Sequence, residues 1–223
     1  MRFVVRTRVK VCGITRPEWA LAAADAGADA IGLVMAESPR RVTPAEAARI
    51  VRVLPPWVAA VGVFVDESPA TILAAADEAG LTAVQLHGDE PPETAAALGR
   101  LKVIKVFGIA GDDDFAAACE WKRKSERLGR VPDAYLVDAR VAGGPKGGLG
   151  TRANWGLAAR MILEGFRPLI LAGGLGPENV AEAIRSVQPW GVDGSSALET
   201  APGRKSPEKI RAFVEAVRKA TDE

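Results

Sequence analysis

Cys12 closes the short β-branched run Val9-Lys10-Val11-Cys12 and is followed at once by Gly13, so a thiol stands at the tip of an apolar segment. Other apolar runs end on groups that can also do chemistry. Ala134-Tyr135-Leu136-Val137 leads to Asp138, and Gly191-Val192 leads to Asp193. An acid that closes a Tyr-Leu-Val run is hard to bury for packing alone. Arg40 and Arg41 follow Ser38-Pro39, and a guanidinium fork suits a carboxylate. Ala172-Gly173-Gly174-Leu175-Gly176 and Asp193-Gly194-Ser195-Ser196 are turns of small residues, whose exposed backbone N–H groups suit an anion such as phosphate. A third glycine cluster, Gly143-Gly144-Pro145-Lys146-Gly147-Gly148-Leu149-Gly150, is too glycine-rich to pack a core. It reads as a lid whose backbone closes on a ligand, with Lys146 or Arg152 adding charge.

These groups need a frame, and the chain alternates strand and helix signals from end to end. Apolar strands are expected at about Arg8–Cys12, Ala30–Met35, Ala59–Val65, Ala83–Leu86, Val103–Phe107, Ala134–Asp138, Leu169–Ala172 and Gly191–Asp193. Helical periodicity fills the intervals, as in Pro44–Leu54, Pro69–Ala79 and Pro177–Val187. Prolines 17, 44, 69, 91, 177 and 207 stand near helix starts, where a missing N–H costs nothing. Ala26-Gly27-Ala28-Asp29-Ala30 and Ala79-Gly80-Leu81-Thr82-Ala83 repeat one device: a helix stops on glycine and a buried strand follows. Eight βα units predict an α/β fold, a single-domain (β/α)8 TIM barrel of the ribulose-phosphate-binding type, with the barrel proper at about 8–221. An open doubly wound sheet would want a glycine-rich phosphate turn after the first strand. That turn holds a cysteine and one glycine instead.

In a barrel the working side chains lie at strand C-termini, and the turns after strands seven and eight are the usual phosphate grip. Gly-Gly alone merely ends many strands; the joint position of the two turns is what marks them. The tips together carry a thiol, two carboxylates, an arginine pair and small-residue loops. That set describes a site for a small phosphorylated substrate and calls for no cofactor.

The bulk of the sequence agrees. With 223 residues, the chain is slightly short for this barrel, which typically takes about 250. Apolar residues are 48% and aromatics 5%, which suits Ala/Val/Leu/Ile strands buried on both faces. A net charge of +1 suggests no nucleic-acid partner. One histidine excludes a His-rich metal site, and two distant cysteines argue for a reducing compartment. No signal peptide or membrane span is expected, so the reading is a cytoplasmic protein, monomer or homodimer. Cys119 reads as a structural thiol, His87 as a loop-orienting residue and not a catalyst, and Lys122-Arg123-Lys124 as a solvated face.

Several motifs, taken in order, resemble the phosphoribosylanthranilate isomerase family. They are Lys10-Val11-Cys12-Gly13-Ile14-Thr15, Gly62-Val63-Phe64-Val65, Val84-Gln85-Leu86-His87-Gly88, Leu136-Val137-Asp138, Gly147-Gly148-Leu149-Gly150 with Trp155, Ala172-Gly173-Gly174-Leu175 and Val192-Asp193-Gly194-Ser195-Ser196. The resemblance spans nearly the whole chain from about residue 8. It implies a cofactor-free enzyme of tryptophan biosynthesis that performs an Amadori rearrangement by general acid–base catalysis, with Cys12 as base and Asp138 as acid. It also implies substrate contacts at Arg40 and Asp193, and phosphate contacts at Gly148, Gly150, Gly173, Gly174, Gly194, Ser195 and Ser196. Arg41 departs from the family, where an aromatic is usual, and Met35 stands where relatives carry phenylalanine. The chemistry sets two expectations. Lys10, two residues before Cys12 on one strand, should point into the barrel beneath it and favour thiolate. Burial near a phosphate and a second carboxylate, Asp193, should keep a proton on Asp138. The alternatives are another sugar-phosphate barrel isomerase and a non-catalytic phosphate-binding barrel. A cysteine at the first strand tip argues against the histidine-pathway isomerase, which tends to use two aspartates. Indole-glycerol-phosphate synthase relies on catalytic lysines and an N-terminal extension not seen here.

Overall fold

The computed structural model describes residues 6–138 and 155–222. Eight parallel strands close into a barrel: β1 (Arg8–Cys12), β2 (Ala30–Val34), β3 (Ala59–Phe64), β4 (Ala83–Leu86), β5 (Lys102–Gly108), β6 (Ala134–Asp138), β7 (Leu169–Leu171) and β8 (Gly191–Gly194). The closing pair, β1 against β8, sets Lys10 opposite Asp193 and Val11 opposite Gly194. Around the strands run α1 (Pro17–Ala26), α2 (Pro44–Val51), α3 (Pro69–Ala79), α4 (Pro92–Ala97), α5 (Asp112–Arg127), α6 (Trp155–Leu163), α7 (Val180–Val187) and α8 (Pro207–Asp222).

Side-chain alternation along each strand builds two apolar layers. One set, including Val61, Ala83, Ile104, Val106, Leu136 and Ile170, fills the barrel. The alternate set, including Val9, Leu33, Val84, Val103, Tyr135 and Leu171, packs outward under the helices. Local signals set the element ends. Pro44 opens α2 behind a Thr43–Glu46 capping box, and Ser68 caps α3 ahead of Pro69. Gly27 (φ 99°) and Gly80 (φ 72°) end α1 and α3 in the left-handed conformation, so the repeated helix–glycine–strand device is real.

Two places differ from the sequence reading. Helix α7 starts at Val180, three residues after Pro177. Asn179 instead accepts from the Gly176 N–H and donates to the Gly174 carbonyl, tying down the glycine turn. Between β8 and α8 lies an unforeseen addition: a 3-10 turn (Ser196–Leu198) and an antiparallel hairpin of β9 (Glu199–Ala201) and β10 (Arg204–Lys205). Strands of three and two residues are too short to show periodicity.

Candidate active site

The C-terminal mouth of the barrel opens into a cavity of about 480 Å³. Cys12 from β1, Asp138 from β6 and Asp193 from β8 all line it, with Gln85 and His87 from the end of β4. Gly173, Gly174, Ser195 and Ser196 line the same space. Gly173 (φ 96°) and Gly174 (φ 63°) are both left-handed, a backbone path strained for any side chain. The titratable groups and the small-residue turns therefore share one chamber.

On the thiol side, Lys10 lies buried inside the barrel and bonds Asp193 Oδ2 through Nζ at 2.7 Å. A Cβ on Gly32 would sit 2.6 Å from Cys12 Sγ and 3.0 Å from Lys10 Nζ, so glycine leaves room for both groups side by side. The Ser195 hydroxyl donates to the Cys12 carbonyl at 3.2 Å and holds the β1 tip against the turn after β8. Lys10 thus points beneath Cys12 as expected, but the expected balance is corrected. Burial pushes the thiol up by more than the pull of Lys10 brings it down, and the Asp193 charge pushes the same way as burial. Burial likewise raises the Asp193 carboxyl against the pull of Lys10, and the Asp138 charge adds to the rise. Among the described residues, buried Asp193 Oδ1 has no hydrogen-bond partner.

On the acid side, His87 Nε2 stands 3.4 Å from Asp138 Oδ2, and His87 Nδ1 meets Gln85 Nε2 at 3.0 Å. With Nδ1 accepting from the Gln85 amide, the ring proton sits on Nε2 and faces Asp138. Sequence reasoning gave His87 only a loop role. The missed signal was spacing: His87 is two residues beyond Gln85, hence on the same inward face.

Arg40 lines the cavity, whereas Arg41 is exposed, so Arg40 is the arginine of the pair at the site. Its Nε and Nη2 bond the two Glu199 oxygens at 2.8 Å each. Lys205 Nζ bonds Glu199 Oε1 at 2.8 Å and the Ser195 carbonyl at 3.0 Å. Burial opposes ionisation of Glu199, but bonds from Arg40 and Lys205 hold it below the usual carboxylate range. Gly13 (φ 80°) lets Arg40 lie across the β1 tip: a Cβ there would meet Arg40 Cδ at 2.5 Å. Glu199 and Lys205 had no sequence signal, because they belong to the short hairpin.

Of the other expected residues, Gly194 does not line the cavity. A Cβ there would meet Leu198 at 2.7 Å and Phe213 at 3.1 Å, so its α-carbon faces α8 and serves close packing. Gly148 and Gly150, with Lys146, Arg152 and the expected lid, lie outside the described residues. Among the described residues, no helix is long and apolar enough to cross a membrane.

Fold and site together define the class: a (β/α)8-barrel enzyme whose mouth brings titratable groups from β1, β6 and β8 into one cavity with the small-residue turns that follow β7 and β8. Residues 9–216 match the family model of N-(5'-phosphoribosyl)anthranilate (PRA) isomerase. The chain is 43% identical over 214 residues to the N-(5'-phosphoribosyl)anthranilate isomerase of Trichlorobacter lovleyi, covering 96% of this chain and 98% of that one. It is 46% identical over 212 residues to that of Geotalea daltonii, covering 94% and 95%. Among solved structures, the phosphoribosyl anthranilate isomerase of Thermotoga maritima superposes with a TM-score of 0.85 at 39% identity, covering 96% and 99%. A phosphoribosyl anthranilate isomerase in complex with reduced 1-(o-carboxyphenylamino)-1-deoxyribulose 5-phosphate superposes at 0.81 with 38% identity, with the same coverage. The chain belongs to the N-(5'-phosphoribosyl)anthranilate isomerase family.

Proposed function

We propose that this enzyme converts N-(5-phosphoribosyl)anthranilate to 1-(2-carboxyphenylamino)-1-deoxyribulose 5-phosphate in tryptophan biosynthesis, with Asp138 as general acid and Cys12 as general base. Asp138 gives its proton to the ribose ring oxygen, and the C–O bond breaks to leave an iminium cation at the anomeric carbon. Cys12 thiolate then takes the proton from the neighbouring carbon, forming the enolamine that tautomerises to the ketose. Electrons stay within the substrate, so the step balances without a redox partner. Arg40 meets the anthranilate carboxylate with the donor edge that Glu199 leaves open, and Asp193 bonds the sugar. The turns at Gly173-Gly174 and Ser195-Ser196 hold the phosphate.

The observation that carries this reading is that the β1 thiol and the β6 carboxyl open into one cavity with both small-residue turns. The 480 Å³ volume suits a ligand of this size. His87 supports the acid by orienting its carboxyl. The two cysteines, both free thiols, support a cytoplasmic enzyme acting as one barrel domain. It works as a monomer or homodimer; a dimeric form is recorded for the Thermotoga maritima enzyme.

Purified protein should consume phosphoribosylanthranilate, generated in situ because it is labile, with loss of the anthranilate-type fluorescence. Cys12→Ala and Asp138→Asn should each lower kcat on the order of 10²–10⁴-fold. Parent-like turnover in both variants would overturn the assignment of acid and base.

A further inference from the structure

We propose that Cys12, Lys10 and Asp193 form one charge-sharing triad: a single negative charge rests on either Cys12 or Asp193, and Lys10 is its fixed counter-cation. Lys10 is then the positioning residue that lets a buried thiol serve as a base. The inference rests on the reading of Cys12 as base given above.

A thiol base normally borrows a neighbouring histidine or another cation to reach its thiolate form. The only histidine of this chain stands across the cavity against Asp138. The cation beneath Cys12 is Lys10, fixed by strand register directly opposite Asp193. One Nζ proton is committed to Asp193 Oδ2, and Nζ lies beside Sγ over Gly32. Asp193 Oδ1, buried and without a partner among the described residues, is the open position on the triad.

Charge decides what these three groups can do together. With both acids ionised, the barrel floor would carry one uncompensated anion; with both protonated, one uncompensated cation. Either state is costly away from water. One proton shared between the two acids leaves the floor neutral, and the pair titrates as a unit. As the S–H bond breaks, an O–H bond forms at Asp193 Oδ1, and Lys10 keeps all three of its protons. No electrons change hands. Among the described residues, the groups facing the triad from other elements are Lys205 on β10, Arg40 after β2, Asp138 on β6 and His87 after β4. Lys205 and Arg40 favour the thiolate, and once Asp138 has given up its proton its charge favours a proton on Asp193. The alternative is a plain structural strut, in which the Lys10–Asp193 pair braces the barrel floor and leaves the thiol alone.

The test reads the thiol directly, through the pH dependence of iodoacetamide alkylation of Cys12. A Cys119→Ser background removes the second thiol, which lies half-buried on α5. Lys10→Met should move the alkylation midpoint up by about one pH unit or more, the scale of one close charge. Asp193→Asn should move it down, since the competing anion is gone, and Lys10→Arg should return it towards the parent. Midpoints unchanged in Lys10→Met and Asp193→Asn overturn the triad and leave the strut. If circular dichroism shows Lys10→Met unfolded, Asp193→Asn decides alone: a downward shift supports the triad and a parent-like midpoint overturns it. Alkylation needs no substrate, so the two readings fail separately. Cys12→Ala with full turnover would sink the base assignment while the midpoints still moved.

Discussion

Two of the buried lysine–carboxylate pairs lie on opposite sides of the barrel wall. Lys10–Asp193 sits inside at 2.7 Å, and Lys105–Glu90 sits outside, under α5, at 2.6 Å. Length and burial barely distinguish them. Their remaining bonds do. Both oxygens of Glu90 accept the Gly88 N–H, one also accepts the Asp66 N–H, and the other takes Lys105. Lys105 in turn donates to the Gly88 carbonyl and lies over the Trp121 ring. The inner pair leaves Asp193 Oδ1 without a partner among the described residues. A completed network fixes loops; an incomplete one leaves a position for a proton or a ligand. The outer pair clamps the turns after β3 and β4, and the inner pair stays poised.

The strongest way to break this contrast is to neutralise each carboxylate in turn. Glu90→Gln should destabilise the protein by roughly 3–5 kcal/mol, because it strands a buried ammonium and unties two loops. Asp193→Asn should cost about 1–2 kcal/mol less, since Cys12 can supply the missing anion to Lys10. Activity should run the other way: kcat/KM falls by about tenfold or more in Asp193→Asn, the scale of a lost charged hydrogen bond. Folded Glu90→Gln should stay within a few-fold of the parent. Urea unfolding and steady-state assays on both variants check the crossed pattern. Equal losses of stability and activity in both would erase the distinction.

A smaller effect is expected at His87, where the two networks meet. Its own N–H donates to the Phe64 carbonyl, which anchors the residue whose ring faces Asp138 independently of Glu90, while the next residue, Gly88, is held by that carboxylate. A side chain at residue 88 has no room: its Cβ would lie 2.2 Å from Asp66 Oδ1. His87→Asn removes the Nε2 contact and should lower kcat by about tenfold, within the range for one supporting hydrogen bond. KM should be little changed, and unfolding should stay near the parent curve.

What could be read from the sequence follows the same division. Cys12, Asp138 and Asp193 were legible because each is a polar group at the end of an apolar strand, where burial without purpose is costly. The β-strand frame was legible for the same reason: parallel strands buried on both faces are nearly continuous apolar runs. Lys105 broke such a run from the outward side, and nothing in its neighbours announced Glu90 fifteen positions earlier as its partner. Glu199 and Lys205 were hidden by a hairpin too short for periodicity. Arg40 and Arg41 were inseparable as types. The family resemblance pointed to Arg40, and the turn after β2 agrees by aiming it at Glu199 and leaving Arg41 in solvent. Gly194 shows a packing role that its type does not announce, because a glycine that spares a helix and a glycine that greets a ligand look alike in a sequence.

The subtlest contrast between the pairs lies in the sign of their alkaline response. Burial opposes the charge on both lysines, yet Asp193 and Cys12 outweigh it at Lys10, whose pKa rises above the ordinary 10.5. At Lys105 burial prevails over Glu90, and the pKa falls below 10.5. A group whose pKa is raised by folding contributes stability that is complete below 10.5 and lost as pH climbs through the higher folded value. A lysine whose pKa is lowered does the opposite. Between its folded value and 10.5 the unfolded chain binds the extra proton, so stability rises with pH across that window. Unfolding free energies measured in urea at a series of alkaline pH values should therefore separate the variants by slope. Lys105→Met removes a rising contribution and should give a curve that falls more steeply than the parent's below pH 10.5. Lys10→Met removes a falling one and should flatten the curve above it. Slopes of the same sign in both would mean that Cys12 and Asp193 do not together outweigh burial at Lys10, and the inner pair would then be a strut like the outer one.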